Sequence, residues 1–281
     1  MVAIQGKGIK HKVQMCGEPA NVPSALLRGP FCLLPFAFCL ATTGCANFWD
    51  DVTSRDFTFN GYFNKPNPML VLRDSVDGDK RAKALAALHE PKQFGGTDEE
   101  QNAVVKILTT AAVSEKQPLC RLAAIESLGH FKDPRAVDGL IAAFYQANSF
   151  APDTTTVIRC QALAALGETK NPAAVELLAR VVHEPPAEGS ELEKQQTLDI
   201  RIAAARALAN FSHYQSTEAL VQVLKTERDV ALRDRAYESL QTATGKTLPP
   251  DPKAWDDLLH QQGDTNVAAE PPKKFKLFDW F

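Results

Sequence analysis

The chain has 281 residues, with 31 Lys and Arg against 34 Asp and Glu, 44% apolar residues, 18 Pro and six Cys. That is too apolar and too evenly charged for a disordered chain, and too poor in cysteine for a disulfide scaffold. A net charge of -3 gives no general attraction for polyanions, so nucleic acid is excluded as an expected partner.

In chain order, the first feature is a targeting segment, which has to be set apart before the rest is read. Lys7, Lys10, Lys12 and Arg28 form a basic lead, and an apolar run from Phe31 to Ala41 precedes Thr42-Thr43-Gly44-Cys45. At about 1.5 Å per residue this run, broken by Pro35, covers only about half of a roughly 30 Å hydrocarbon core. It reads as a signal peptide over residues 1–44. Thr43, Gly44 and Cys45 resemble a bacterial lipoprotein signal, although Thr42 stands where that family usually has leucine, found here two places earlier as Leu40. The resemblance implies that Cys45 is lipidated and becomes the first residue of the mature chain, joined to the membrane of the bacterial cell envelope through its lipid. Several acyl chains, as in that family, would anchor durably where one holds only marginally. The alternative is an ordinary secretory signal cleaved nearby, leaving Cys45 a plain thiol; Met15 is also a candidate start. The first 44 residues carry four of the basic and one of the acidic side chains, so the remaining 237 hold 27 against 33.

Residues 45–78 read as an irregular spacer with an aromatic cap, carrying Phe48, Trp49, Phe57, Phe59, Tyr62 and Phe63 and broken by Pro66 and Pro68. From residue 79 to 260 the chain repeats itself five times. Counting from Arg81, Arg121, Arg159, Arg201 and Arg233, the residue three places on is Ala84, Ala124, Ala162, Ala204 and Ala236. Seven places on stand Leu88, Leu128, Leu166, Leu208 and Leu240, and four places on Leu85, Ile125, Leu163, Ala205 and Tyr237. Positions 3, 4 and 7 share one face of a helix. A second helix follows in each copy, announced by Asp133-Pro134 and Asn171-Pro172 as cap and first turn and by the capping-box spacing of Thr97 with Glu100; Ser190 with Glu193 has the same spacing before a first-type helix. Val137, Leu140, Ile141 and Phe144 then recur at helical spacing, as do Val175, Leu178, Val181 and Val182, and Leu220, Val221 and Leu224. The expected fold class is all-α: a short α-solenoid of about five helical hairpins.

The arginine separations of 40, 38, 42 and 32 residues, with Leu128-Gly129 and Leu166-Gly167 followed by Asp-Pro or Asn-Pro, resemble HEAT repeats of the phycobilisome-lyase type. The resemblance implies stacked hairpins acting as a scaffold or protein-binding module, with bilin-lyase-like or accessory activity as one alternative and a structural periplasmic spacer as another. It also implies that each recurrent arginine pairs with an acidic residue of the adjoining unit; the other reading is a cationic strip for an acidic partner.

Two insertions, residues 145–157 and 183–190, read as loops joining a second helix to the next first helix, so they should emerge on one edge. They make Tyr145, Phe150 and His183 candidate contacts for an unknown protein partner, against the alternative of tolerated surface loops. The tail, residues 261–281, ends in an aromatic strip with Phe275, Phe278, Trp280 and Phe281 and interleaved lysines. It either binds a partner or bilayer surface, or folds back to cap the last hairpin.

No catalytic, metal or cofactor constellation is expected. The six histidines are isolated, Gly245-Lys246-Thr247 lacks the rest of a phosphate loop, and Asp74, Asp77 and Asp79 lack the alternation and closing glutamate of a calcium loop. Cys120 and Cys160 fall at positions the repeat makes apolar, which reads as small core residues, with a disulfide between neighbouring units as the minor alternative.

Overall fold

A computed structural model describes residues 67–265. Among them are eleven α-helices and no strands: α1 (Pro68–Asp74), α2 (Gly78–Ala86), α3 (Asp98–Ser114), α4 (Pro118–Gly129), α5 (Pro134–Tyr145), α6 (Pro152–Thr169), α7 (Ala174–Val182), α8 (Glu191–Leu208), α9 (Tyr214–Thr226), α10 (Val230–Thr244) and α11 (Pro252–Thr265). The first helices of the hairpins pack in one layer, α2 on α4, α4 on α6, α6 on α8 and α8 on α10. The second helices form the other layer in the order α3, α5, α7, α9, α11. This is an α-solenoid of five hairpins, built as the repeat requires.

The layers form where they do because the sequence punctuates them. Proline opens α1, α4, α5, α6 and α11, where a missing N–H costs no helical bond. Thr97 with Glu100 and Ser190 with Glu193 close complete capping boxes at the starts of α3 and α8. Asp77, whose neighbours suggested an acidic cluster, caps α2 by accepting from Asp79 N and Lys80 N. Gly245 ends α10 in the left-handed region at φ 66°, a C-terminal stop.

The expected positions 3, 4 and 7 after each arginine are buried in all five copies, except that Tyr237 is half-buried. Phe131 and Phe211, which the pattern does not include, follow α4 and α8 and are almost wholly enclosed. The glycines of the two Leu-Gly pairs have a physical role. A Cβ on Gly129 would stand 3.1 Å from Ala165 Cα of α6, and one on Gly167 would stand 3.0 Å from Ala207 Cα of α8. Glycine there lets neighbouring first helices approach backbone to backbone.

Two expectations about irregular segments are corrected. Residues 68–74 of the expected irregular spacer are helical, because Pro68 is a helix start rather than a break, and Asn67 caps it by accepting from Met69 N. Most of 145–157 is also not a loop: a 3-10 turn spans Gln146–Ser149 and α6 begins at Pro152, so the insertion lengthens the first helix to 18 residues. Residues 183–190 do form an irregular connection. No helix among the described residues is long and apolar enough to cross a membrane.

Candidate functional site

The recurrent arginine is a staple between helix ends, and its departures from that role locate the site. Arg201 Nε donates to Val182 O at the end of α7, the second helix of the preceding hairpin, at 3.1 Å, and its guanidinium pairs with Glu227, the C-cap of α9 in its own hairpin. Arg121 repeats this, with Nε on Glu115 O after α3 at 2.8 Å and a second nitrogen on Gln146 O after α5 at 3.0 Å. Arg81 donates to Leu72 O at 2.8 Å and pairs with Glu115. Unpaired carbonyls at helix C-termini carry negative partial charge, so a cation there satisfies both hydrogen bonding and the helix dipole. By this measure α1 takes the place of a second helix before the first hairpin. The expected acidic partner in the adjoining unit is therefore corrected. The carboxylates come from the arginine's own hairpin, and the adjoining unit supplies backbone carbonyls.

Arg159 breaks the pattern. Arg121 already occupies the carbonyl of Gln146, and the 3-10 turn that follows presents Asn148 instead. Arg159 donates to Asn148 Oδ1 at 2.8 Å and lies over the Phe144 ring, 5.4 Å from its centroid. Its Nε is enclosed with no hydrogen-bond partner, and no carboxylate pairs with it among the described residues. Arg233, in the fifth copy, is exposed and makes no staple.

Arg159 lines a cleft of about 470 Å³ between the extended starts of α6 and α8. Asn148, Phe150, Pro152, Thr155 and Thr156 form one wall, Ala187, Gly189, Glu193, Gln196 and Thr197 the other, with Ile200 also contributing. The two insertions thus face each other, and Gln196 Nε2 donates to Asp153 Oδ1 across them at 2.7 Å. Beside Gly189 the Glu193 carboxylate folds back to accept from Ser190 N at 2.7 Å. Thr155 is used internally, its hydroxyl donating to Ala147 O at 3.0 Å. The start of α6 has no side-chain cap, since Ala151 precedes it. Its first amides are left as donors without a side-chain acceptor.

Of the residues singled out from the sequence, Phe150 lines this cleft, half-buried, with the Arg121 guanidinium 4.7 Å above its ring. Tyr145 and His183 do not line it. Tyr145 is exposed on the second-helix layer, where Arg180 donates to its hydroxyl and lies 5.8 Å over its ring. His183 is the C-cap of α7. Cys45, Phe275, Phe278, Trp280 and Phe281 lie outside the described residues. In the sequence Arg159 is one of five equivalent positions, and the turn at 146–149 sets it apart.

A second groove of about 1020 Å³ runs between α1 and α3, with Met69, Leu70, Leu72, Ile107 and Ala111 among its largely apolar walls. Elsewhere, a buried polar cluster joins the first two hairpins: Gln101 Nε2 donates to Glu90 Oε1 and Asp133 Oδ2, both at 3.0 Å, and Lys132 N donates to Glu90 Oε2 at 2.8 Å. The Arg135 guanidinium beside it holds the Asp133 carboxyl well below the usual carboxylate range. Both cysteines with described positions are free thiols, and burial pushes Cys160 up to about 11. Neither thiol lines the cleft.

Two stacked layers of helical hairpins, tied by an arginine between helix ends, define an α-solenoid repeat protein. Residues 121–146 and 158–183 match the model of the PBS lyase HEAT-like repeat, covering most of α4–α5 and of α6–α7. At these two hairpins the chain is similar to that repeat. Comparison with curated proteins gives no match.

Proposed function

We propose that this protein is a lipid-anchored scaffold of the bacterial cell envelope that holds a protein partner along the edge of its solenoid containing the α6–α8 cleft. The observation that carries the binding role is the cleft itself. Two insertions into an otherwise regular repeat meet there, and they enclose the one recurrent arginine among the described copies that has neither a carboxylate nor a helix-end carbonyl as partner while still packed in the layer. Solenoids use such edges because insertions change the surface without disturbing the stacked core. The groups lining the cleft are an arginine, amides, hydroxyls, one capped carboxylate and apolar surface. They suit recognition by hydrogen bonding and packing. Anchoring rests on the basic lead, the short apolar run and Cys45.

Two measurements test the two halves. Cys45→Ser should move the protein from the membrane fraction to the soluble fraction and abolish lipid labelling; undiminished membrane association would refute anchoring through this cysteine. Affinity capture with the full chain and with Phe150→Ala should give partner lists that differ by the specific partner; identical lists would remove the cleft from the account. Pigment attachment in a heterologous assay would instead favour the lyase alternative contained in the family's name.

A further inference from the structure

We propose that the α6–α8 cleft binds an acidic segment of its protein partner, with one Asp or Glu carboxylate pairing with Arg159 and a neighbouring apolar side chain resting on Phe150, Pro152 and Ile200. This rests on the reading of the cleft as the partner-binding edge and assigns the chemistry it selects.

Charge complementarity decides the occupant. Arg121 and Arg201 each bridge two acceptors at helix ends, whereas Arg159 has a single acceptor, the neutral amide of Asn148 at 2.8 Å. Its Nε is enclosed, so an incoming carboxylate meets the terminal nitrogens, of which one is held by Asn148. A planar guanidinium offers a fork that matches a carboxylate, and a donor already held in place by Asn148 and the Phe144 ring loses little freedom on pairing. A second feature acts in the same direction. The start of α6, at the wall of the cleft, lacks a side-chain cap, so its amides and its positive dipole end favour an anionic neighbour. The two carboxylates nearby are held by neutral donors and keep their charge: Glu193 accepts from Ser190 N and Oγ at 2.7 and 3.0 Å, and Asp153 accepts from Gln196 at 2.7 Å, so both repel an anion from the α8 wall and the outer end of α6. They confine an incoming carboxylate to the Arg159 side. The volume of about 470 Å³ accommodates a few side chains and not a folded domain, which points to an extended segment.

The test pans a displayed random heptapeptide library against the full chain in detergent, then measures binding of a selected peptide by fluorescence anisotropy. Enriched peptides should carry Asp or Glu next to an apolar residue. Arg159→Gln should weaken binding roughly tenfold or more, Arg159→Lys by less, and 0.5 M salt should weaken the wild type as well. Because Arg159 packs on Phe144, a second variant is placed in the connecting loop: Ala187→Glu should weaken the acidic peptide and Ala187→Lys strengthen it, with no change in helix content. Enrichment without acidic residues, or acidic peptides bound equally by Arg159→Gln and Ala187→Glu, would overturn the carboxylate assignment while leaving a binding scaffold in place. Failure to select any peptide would overturn both.

Discussion

Replacing Arg201 by methionine keeps the aliphatic stem and removes the guanidinium that joins α7 to α9. The side chains of Arg201 and Glu227 are 7% and 13% exposed, so the pair is largely out of water. Removing one member of a buried pair costs about 3–5 kcal/mol, because the other is left charged and unpaired. Two hydrogen bonds remain to Glu227, from Arg228 N at 2.8 Å and Asp229 N at 3.1 Å, and these place the loss near the lower end, about 3 kcal/mol. For a domain of this size that is a drop in Tm of roughly 6–12 °C, read by circular dichroism together with urea unfolding. Arg201→Met with Glu227→Leu should lose less than Arg201→Met alone, since no orphaned carboxylate remains. Burial pushes Glu227 up, but the amides of Asp229 and Arg228 and then the Arg201 guanidinium outweigh it and hold the carboxyl below its ordinary value. A depressed carboxylate contributes stability that is present above its unfolded value and lost as pH falls through the folded one. The gap between wild type and Arg201→Met should therefore narrow below about pH 4. A single variant within about 0.5 kcal/mol of wild type, or a double variant whose loss is the sum of the singles, would refute the staple.

Gln101→Leu should destabilise by about 2–3 kcal/mol in urea unfolding, because Glu90, Asp133 and Lys92 N each lose a buried partner. Asp133 is held below the usual range, so its share of that cluster should persist above pH 4 and disappear in more acid solution, seen as a steeper acid limb in wild type than in Asp133→Asn. Gly139→Ala should also destabilise, by about 1–3 kcal/mol, although alanine is ordinarily the better helix residue, since its Cβ would stand 2.5 Å from Thr109 Cγ2 of α3; Thr109→Ser should recover part of the loss. Cys120 and Cys160 should resist iodoacetamide at pH 8 in the native chain and react once guanidinium unfolds it, as mapped by mass spectrometry, because burial raises both thiols.

The helical hairpins were legible because positions 3, 4 and 7 after each arginine fall on one face, so burial leaves an imprint on residue type. The staple left none on its acceptors, since Val182, Glu115 and Gln146 contribute backbone carbonyls, which every residue has. Pro68 reads as a break and Pro152 falls inside a segment that reads as a loop, yet proline is neutral at a first turn, and only the chain that follows distinguishes a break from a start. The polar run Asp153-Thr154-Thr155-Thr156 resembles loop sequence; two of its three hydroxyls are absorbed by backbone acceptors, Thr155 on Ala147 O and Thr156 on Pro152 O. Of the candidate contacts, Phe150 was reachable from the insertion in which it lies. Arg159 is not, because its difference from the three stapled copies arises where the 3-10 turn follows Gln146, whose carbonyl Arg121 already occupies.

The partner-binding claim is tested most directly by a photoreactive amino acid placed in the full chain in the producing cell, at Thr156 in the cleft and at exposed Glu238 on α10 as control. One discrete crosslinked species should form from Thr156 and be lost on Arg159→Gln, with none from Glu238. Equal crosslinking from both positions, or a Thr156 product indifferent to Arg159→Gln, would contradict it.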